Sequence, residues 1–383
     1  MATDISTATP IQTFRKMRID WLLLLAIVPL VLAGLVTINS FTGESDLFTR
    51  QLIWIAISLV TFFVCAVIDF RFLRRTSVIV TLFVGACVLL LALFAFGSVS
   101  GGAQSWFRFG SVSFEPVDPI KLVLIMVLAK YFSKRHIEIA NIRHIVVSGV
   151  YALIIFALVF FHPDFGSALI IFLIWFGMVL VSGISKRHIA LVFCIAALVF
   201  AGLWTGVFKE YQKQRIVNFI HPLADIRGSG YNAYQSTISV GSGEMLGKGM
   251  GYGTQSRLKF LPEYQTDFVF AAFAEEWGFV GVLMVFFLFT VVIWRILVNA
   301  FYGATNFEIL YGLGLAILFI SHFVINVGMN IGLLPVTGIT IPFLSYGGTH
   351  LLTEFAGLGV LMGMRRYARG AHKETMSNEF VGF

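Results

Sequence analysis

The chain alternates between long apolar runs and short polar interruptions. A helix crossing a bilayer needs about 20 predominantly apolar residues. Ten runs meet or approach that length: 21–41, 51–69, 76–97, 119–133, 143–161, 165–184, 188–207, 268–298, 309–333 and 343–364. The run 119–133 is short, which tilt or burial by neighbours accommodates. The run 268–298 exceeds a simple span and is expected to extend past the bilayer at one end. The pattern predicts an all-α, polytopic integral membrane protein, a single membrane domain over 1–383. Two connections are substantial, 98–118 and the larger 208–266 between the seventh and eighth spans. Arg15, Lys16 and Arg18 precede a first run too long for the apolar core of a cleaved leader, so it reads as a retained anchor.

Composition agrees. The chain is 58% hydrophobic and 12% charged, against roughly 25% charged in soluble domains. Its net charge of +7 does not imply nucleic acid, because the basic residues form no continuous face. Their placement sets orientation instead. With the N-terminus in the cytoplasm, 17 of the 27 Lys and Arg fall inside against 7 acids, while 9 fall outside against 10. The positive-inside rule therefore predicts ten spans with both termini cytoplasmic. Cys65, Cys87 and Cys194 lie in apolar stretches without ligand-like spacing. No P-loop or strand-borne GxGxxG is present, so ATP-driven transport would need another subunit.

Candidate chemistry clusters at the predicted outer face. Asp267 ends the large loop just before the eighth span; it is either a helix N-cap or a surface carboxylate able to accept a proton or bind a cation. Lys121 and Asp164 sit at the outer ends of the fourth and sixth spans, where charges usually pair or line a cavity. An ion pair between them is geometrically possible, and Asp118, one turn before Lys121, could share or replace Asp164 as partner. Glu275, Glu276 and Glu354 lie within apolar runs and are expected to be packed, hydrogen-bonded or protonated, with a proton relay as the alternative. Gly241–Gly253 holds six glycines in 13 residues, a backbone that can turn tightly or approach a ligand. Lys248, Arg257 and Lys259 nearby could meet phosphate, as could Arg108 beside Trp106 and, in the large loop, Arg215. Near the end, Gly332–Gly338, with Thr337, and Pro342–Gly348, with Ser345, interrupt apolar segments. Such broken helices survive at membrane depth only against protein or a cavity, which points to an outward-opening groove. Composition and breaks alone favour a lipid-substrate transporter.

Four separated blocks change that ranking: Trp106 to Lys121, His162-Pro163-Asp164-Phe165-Gly166-Ser167-Ala168, Tyr231 to Ala274, and Asn326 to Gly348. Together they closely resemble the SEDS proteins (shape, elongation, division, sporulation), over essentially the whole chain. Within the family the chain is more similar to the RodA branch than to the FtsW branch, on Gly328–Gly338. Three departures stand out. The family's Pro-Ser-Glu is Pro116-Val117-Asp118, its Gln before Pro-Asp is His162, and its serine pair after Tyr-Gly-Gly is Thr349-His350.

The resemblance implies a peptidoglycan glycosyltransferase that polymerises lipid II at the outer face of the bacterial cytoplasmic (inner) membrane, in cell elongation and rod shape. It implies that Asp267 matches the family's essential aspartate and acts as the general base. It implies partners: a class B penicillin-binding protein supplying transpeptidation, other elongation-complex membrane proteins, and lipid II with undecaprenyl-pyrophosphate-linked glycan. For the pyrophosphate, Lys121 and Arg108 are the leading cations, then Arg215, Lys248 and Lys259, with Asp164 orienting Lys121. A divalent cation (Mg or Mn) could bridge the pyrophosphate and Asp267, though no sequence pattern requires one. The competing classes are a lipid II flippase and a noncatalytic scaffold of the wall-synthesis complex.

Overall fold

The structure is a computed structural model, and it describes residues 19–42, 45–100, 103–110, 112–134, 142–183, 185–206, 208, 210–221, 230–258, 260–261 and 263–371. Ten helices of 17 residues or more lie among them, one for each apolar run: α1 (Trp21–Thr42), α2 (Ser45–Val67), α3 (Thr76–Phe96), α4 (Val117–Ser133), α5 (Ile142–Phe161), α6 (Phe165–Val181), α7 (Lys186–Gly206), α11 (Val269–Phe301), α12 (Asn306–Asn330) and α13 (Gly348–Ala371). The large loop contributes three shorter helices, α8 (Glu210–Ile220), α9 (Tyr231–Ser242) and α10 (Thr254–Arg257).

Seven of the ten are long and apolar enough to cross a membrane, and α6 is a shorter apolar helix. The remaining two, α4 and α13, carry charges, and the packing explains how. Asp118, Lys121 and Glu354 are all buried, so their helices face protein where α7 presents Leu191, Phe193, Ile195 and Leu198 outward. Helix α12 is the hub, packing on α4, α6, α11 and α13, while α13 lies chiefly along α2. Phe289 and Phe323 stack at 4.0 Å across the α11–α12 seam. With little hydrophobic drive between helices in lipid, such close packing carries the association.

One end of the bundle is fastened by ion pairs. Asp20 accepts from Arg295 (2.6 and 2.9 Å) and Asn299 (2.7 Å). Arg365 donates to the Asn299 side chain, and Arg74 pairs with Glu308 at 2.5 Å. These bonds tie the start of α1 to α11 and α13, and the α2–α3 connection to α12, at the end away from Asp267.

Three findings differ from the sequence reading. The connection 98–118 carries a small antiparallel sheet of β1 (Ser98–Ser100), β2 (Ala103–Phe109) and β3 (Val112–Phe114) in the order β1-β2-β3. His162 secures it: its carbonyl accepts from the Gln104 N–H at 3.1 Å, and its Nε2 meets the Leu90 carbonyl at 3.0 Å. Second, the eighth run, a helix of 33 residues, is broken within its length. Gly278, at φ 64° and ψ −166°, interrupts α11 in a conformation essentially restricted to glycine. Third, the last apolar run becomes helical only at Gly348, so 331–347 is an irregular strap between α12 and α13.

Candidate active site

Asp267 lies in the turn 263–268 that leads into α11. Phe268 takes the N-cap position and no side chain caps this helix, which removes the capping reading of Asp267. Two asparagines hold its backbone instead. Asn326 Nδ2 donates to the carbonyls of Asp267 (2.9 Å) and Ile339 (2.7 Å). Asn330 Nδ2 donates to the same Asp267 carbonyl at 3.0 Å. Asn330 Oδ1 in turn accepts from Ala271 N–H (3.2 Å) and Ser236 Oγ (3.1 Å), so α9, α11 and α12 converge on one buried amide. On sequence neither asparagine was singled out. The available signal was their i,i+4 spacing on an otherwise apolar helix, where polar side chains are costly.

The strap completes the cradle. Ser345 Oγ donates to the Thr266 carbonyl at 2.7 Å and accepts from Ile341 N–H at 3.0 Å. Tyr346 N–H donates to the Gln265 carbonyl at 2.8 Å. Gly338 has φ 77°, and a Cβ there would stand 3.5 Å from Asp267 Oδ2, so the carboxylate rests against bare backbone. Its side chain is partly exposed. Burial pushes the carboxyl up to about 6, Glu263 adds to the rise, and Arg215 and the Thr266 hydroxyl oppose it. A carboxylate tuned this way is a better proton acceptor near neutral pH than an unperturbed one.

Beside it runs a crevice walled by Phe165, Phe208, Ile216, Pro335 and Val336, with Gln212, Arg215 and Thr337 as its polar members. Gly166 packs against the Thr337 carbonyl, which draws the His162–Ala168 block to the strap. An apolar wall with one cation suits a ligand with a greasy tail and an anionic head.

The other candidates separate. Lys121, 3% exposed, pairs with Asp118 at 3.0 Å, the alternative partner, and the possible Lys121–Asp164 pair does not form. Spacing of one helical turn decides for Asp118, while Asp164 is occupied as the N-cap of α6, accepting from Ser167 N–H at 3.0 Å. Asp118 also faces His350 Nδ1 at 3.5 Å, and His350 Nε2 lies 2.9 Å from Glu354. The sequence reading missed His350 as a site residue, and it missed Glu115. Burial, Asp118 and Asp164 hold the Glu115 carboxyl well above its usual range. Thr349 Oγ accepts from Glu115 N–H at 3.2 Å, so both residues of the Thr349-His350 departure are engaged.

Lys248 is committed to Glu275 at 2.8 Å, which is also bonded by Thr254 Oγ and Gln255 N–H, each at 3.1 Å. Glu276 accepts from Gly251 N–H at 2.6 Å. The glycine-rich stretch thus folds back on the broken α11 and bonds both carboxylates, so Glu275 and Glu276 are not bare in hydrocarbon. Gly247 makes this approach feasible: its φ is 81°, and a Cβ on it would sit 2.1 Å from the Glu276 carbonyl. Arg108 is exposed on β2, opposite Ser113, with Trp106 half-buried on the same strand. Lys259 lies outside the described residues. Among the described residues no group of three or more His, Cys, Asp or Glu is gathered to hold a metal ion.

The model of the FtsW/RodA/SpoVE cell cycle proteins matches residues 15–370. The chain is 33% identical over 358 residues to peptidoglycan glycosyltransferase MrdB of Escherichia coli (strain K12), covering 92% of this chain and 95% of that protein. It is 33% identical over 374 residues to stage V sporulation protein E of Bacillus subtilis (strain 168), covering 94% and 100%. In structure it is similar to the rod shape determining protein RodA of Thermus thermophilus (TM-score 0.69, 26% identity, 91% and 97% covered). It is also similar to a chain of a peptidoglycan synthase complex that coordinates polymerization and crosslinking (TM-score 0.80, 28% identity, 92% and 98% covered).

Proposed function

The chain belongs to the FtsW/RodA/SpoVE family and is a peptidoglycan glycosyltransferase of cell-wall synthesis; from that premise we propose that it polymerises lipid II, with Asp267 as the base. The observation that carries this reading is a partly exposed, up-shifted carboxylate beside an apolar crevice that contains Arg215.

The chemistry follows from the groups present. The growing strand is the donor and lipid II the acceptor. Asp267 takes the proton of the acceptor GlcNAc 4-hydroxyl as that oxygen attacks the donor's anomeric carbon. The bond from that carbon to the pyrophosphate oxygen breaks, a β-1,4 linkage forms with inversion, and undecaprenyl pyrophosphate departs carrying the electron pair. Asp267 then releases its proton to water. Arg215, electrostatically linked to Asp267, is the cation best situated to offset the leaving group's charge. Lys121 acts from beneath, through the Asp118 pair, and Arg108 with Trp106 would meet sugars or phosphate farther out. Thr337 lines the crevice, and Ser345 supports the base. A divalent cation (Mg or Mn) that joined the pyrophosphate would find one carboxylate in Asp267 and take its other ligands from phosphate and water; no step above depends on it.

The positive-inside count puts the Asp267 end outside the bacterial cytoplasmic membrane, with both termini within. The partner proposed is a class B penicillin-binding protein, supported by likeness to a chain of a complex coordinating polymerization with crosslinking. The RodA-like strap sequence favours a role in elongation.

The test is polymerisation of purified lipid II by the detergent-solubilised chain, alone and with the partner, with D267N and a chelator as separate arms. Glycan strands from the wild type, with no compartment to cross, separate a polymerase from a flippase. A D267N protein that polymerises at the wild-type rate sinks the assignment of Asp267 as the base.

A further inference from the structure

The strap 338–347 has two sides, and only one faces Asp267. On that side Ser345 and Tyr346 bond the carbonyls of Thr266 and Gln265. On the other side lies a buried set of charged and titratable residues, of which the mechanism uses only the Lys121–Asp118 pair. Glu354 Oε2 accepts from Phe343 N–H at 3.1 Å, and His322 Nδ1 meets the Thr340 carbonyl at 3.2 Å. The rings of His322 and His350 stack with centroids 4.9 Å apart. His350 spans the gap, one ring nitrogen toward Glu354 and the other toward Asp118, which Lys121 anchors.

Phe343 is where this set acts. It has φ 64°, a left-handed conformation that is an outlier for a bulky side chain and that persists only where its surroundings over-determine it. Two restraints do so: the Glu354 carboxylate on its N–H, and the burial of its ring against Phe319 and Phe355. Two residues later the chain reaches Ser345, and through it Thr266 and Asp267.

We propose that Glu354, held by His350, is a positioning residue for Asp267: it fixes the left-handed turn at Phe343 and so the strap against which the base rests. The Asp118–Lys121 pair terminates this chain of contacts beneath the site. The inference rests on Asp267 being the base, and the two can fail separately.

The groups that face Asp267 are Glu263 from its own turn and Arg215 from α8; those around Glu354 are His350, then Asp118, Lys121 and His322. Loosening the strap admits water to Asp267 and relaxes its carboxyl toward the ordinary 3.8. The experiment is the pH dependence of lipid II polymerisation by the full chain carrying E354A or E354Q. E354A is expected to lower kcat by about tenfold or more, the order of a misplaced reacting group, with KM within about threefold. Its acid limb should move down from near 6. E354Q retains an acceptor for the Phe343 N–H and should restore kcat to within about threefold, one lost charge being the smaller effect. A purely structural role would reduce the amount of active protein without moving the midpoint. Wild-type kcat in E354A overturns the proposal, as does an unmoved midpoint or a failure of E354Q to rescue. If E354A does not accumulate, S345A decides, since it cuts the strap on the Asp267 side: a lower kcat with a lowered midpoint supports the proposal, and a wild-type midpoint overturns it. An active D267N would instead sink the base assignment itself.

Discussion

Replacing Asp267 with asparagine leaves a side chain of nearly the same shape, without charge, in a place that disfavours charge. Burial and Glu263 raise this carboxyl from 3.8 to about 6, so the folded state holds its proton more tightly than the unfolded chain does. The sign follows by linkage. Below about pH 4 the group is protonated in both states and costs nothing. As pH rises through about 6 the folded protein must ionise a disfavoured group, and the penalty is complete above that. A shift of about two units at 1.36 kcal/mol each sets a ceiling of about 3 kcal/mol. Partial exposure lowers it, so D267N should be more stable than the wild type by on the order of 1–3 kcal/mol at pH 7.5. The same substitution removes the base and should cut kcat by about 10²–10⁴. Thermal unfolding of both proteins in one detergent, at pH 7.5 and pH 4.5, measures the first effect, and lipid II polymerisation the second. The reasoning is refuted if D267N is no more stable at pH 7.5, or if its advantage persists unchanged at pH 4.5.

Other outcomes follow from the same geometry. Glu263→Gln removes a charge that raises the Asp267 carboxyl and should move the acid limb of the pH–rate profile down, whereas Arg215→Gln should move it up; shifts of the opposite sign would contradict the electrostatics. Gly278→Ala forces a side chain into φ 64° against the Gly247 nitrogen, 2.2 Å from the new Cβ, and should cost about 2 kcal/mol or more, read as lost thermal stability. Asn330→Ala leaves the Ala271 N–H without its buried acceptor and removes one of the two amides that hold the Asp267 carbonyl, while the Ser236 hydroxyl keeps the backbone carbonyl of residue 330. It should destabilise by about 1–3 kcal/mol and lower kcat more than it raises KM. An Asn330→Ala enzyme with normal kcat would show that this amide does not set the base.

The candidate site was legible in unequal parts. Asp267 was visible because a carboxylate at the end of a polar loop meets an apolar run, and the blocks around it resemble a known family. Its two readings stood even until Phe268 took the cap position. The possible Lys121–Asp164 pair does not form because Asp118, one turn from Lys121, takes the lysine, and only the structure shows Asp164 engaged as the N-cap of α6. Lys248 looked like a phosphate ligand because the fold-back that delivers it to Glu275 joins residues 27 positions apart. Asn326, Asn330, His350 and Glu115 went unnoticed because their partners come from distant helices or from the strap.

The apolar runs by themselves determine the ten helices, because a chain in lipid must satisfy its backbone hydrogen bonds within each span. Glycine at 278 and the glycine–proline interruptions after Asn330 also carry their own reason locally, in conformations and breaks that other residues resist. Which polar groups meet is another matter. A buried charge in a membrane protein survives by finding a partner, and where none lies one helical turn away, as Asp118 does for Lys121, that partner is chosen by helix packing. Tertiary structure alone decided that Lys248 answers Glu275, that Asp164 is engaged away from Lys121, and that two asparagines and one strap hold Asp267 at the crevice.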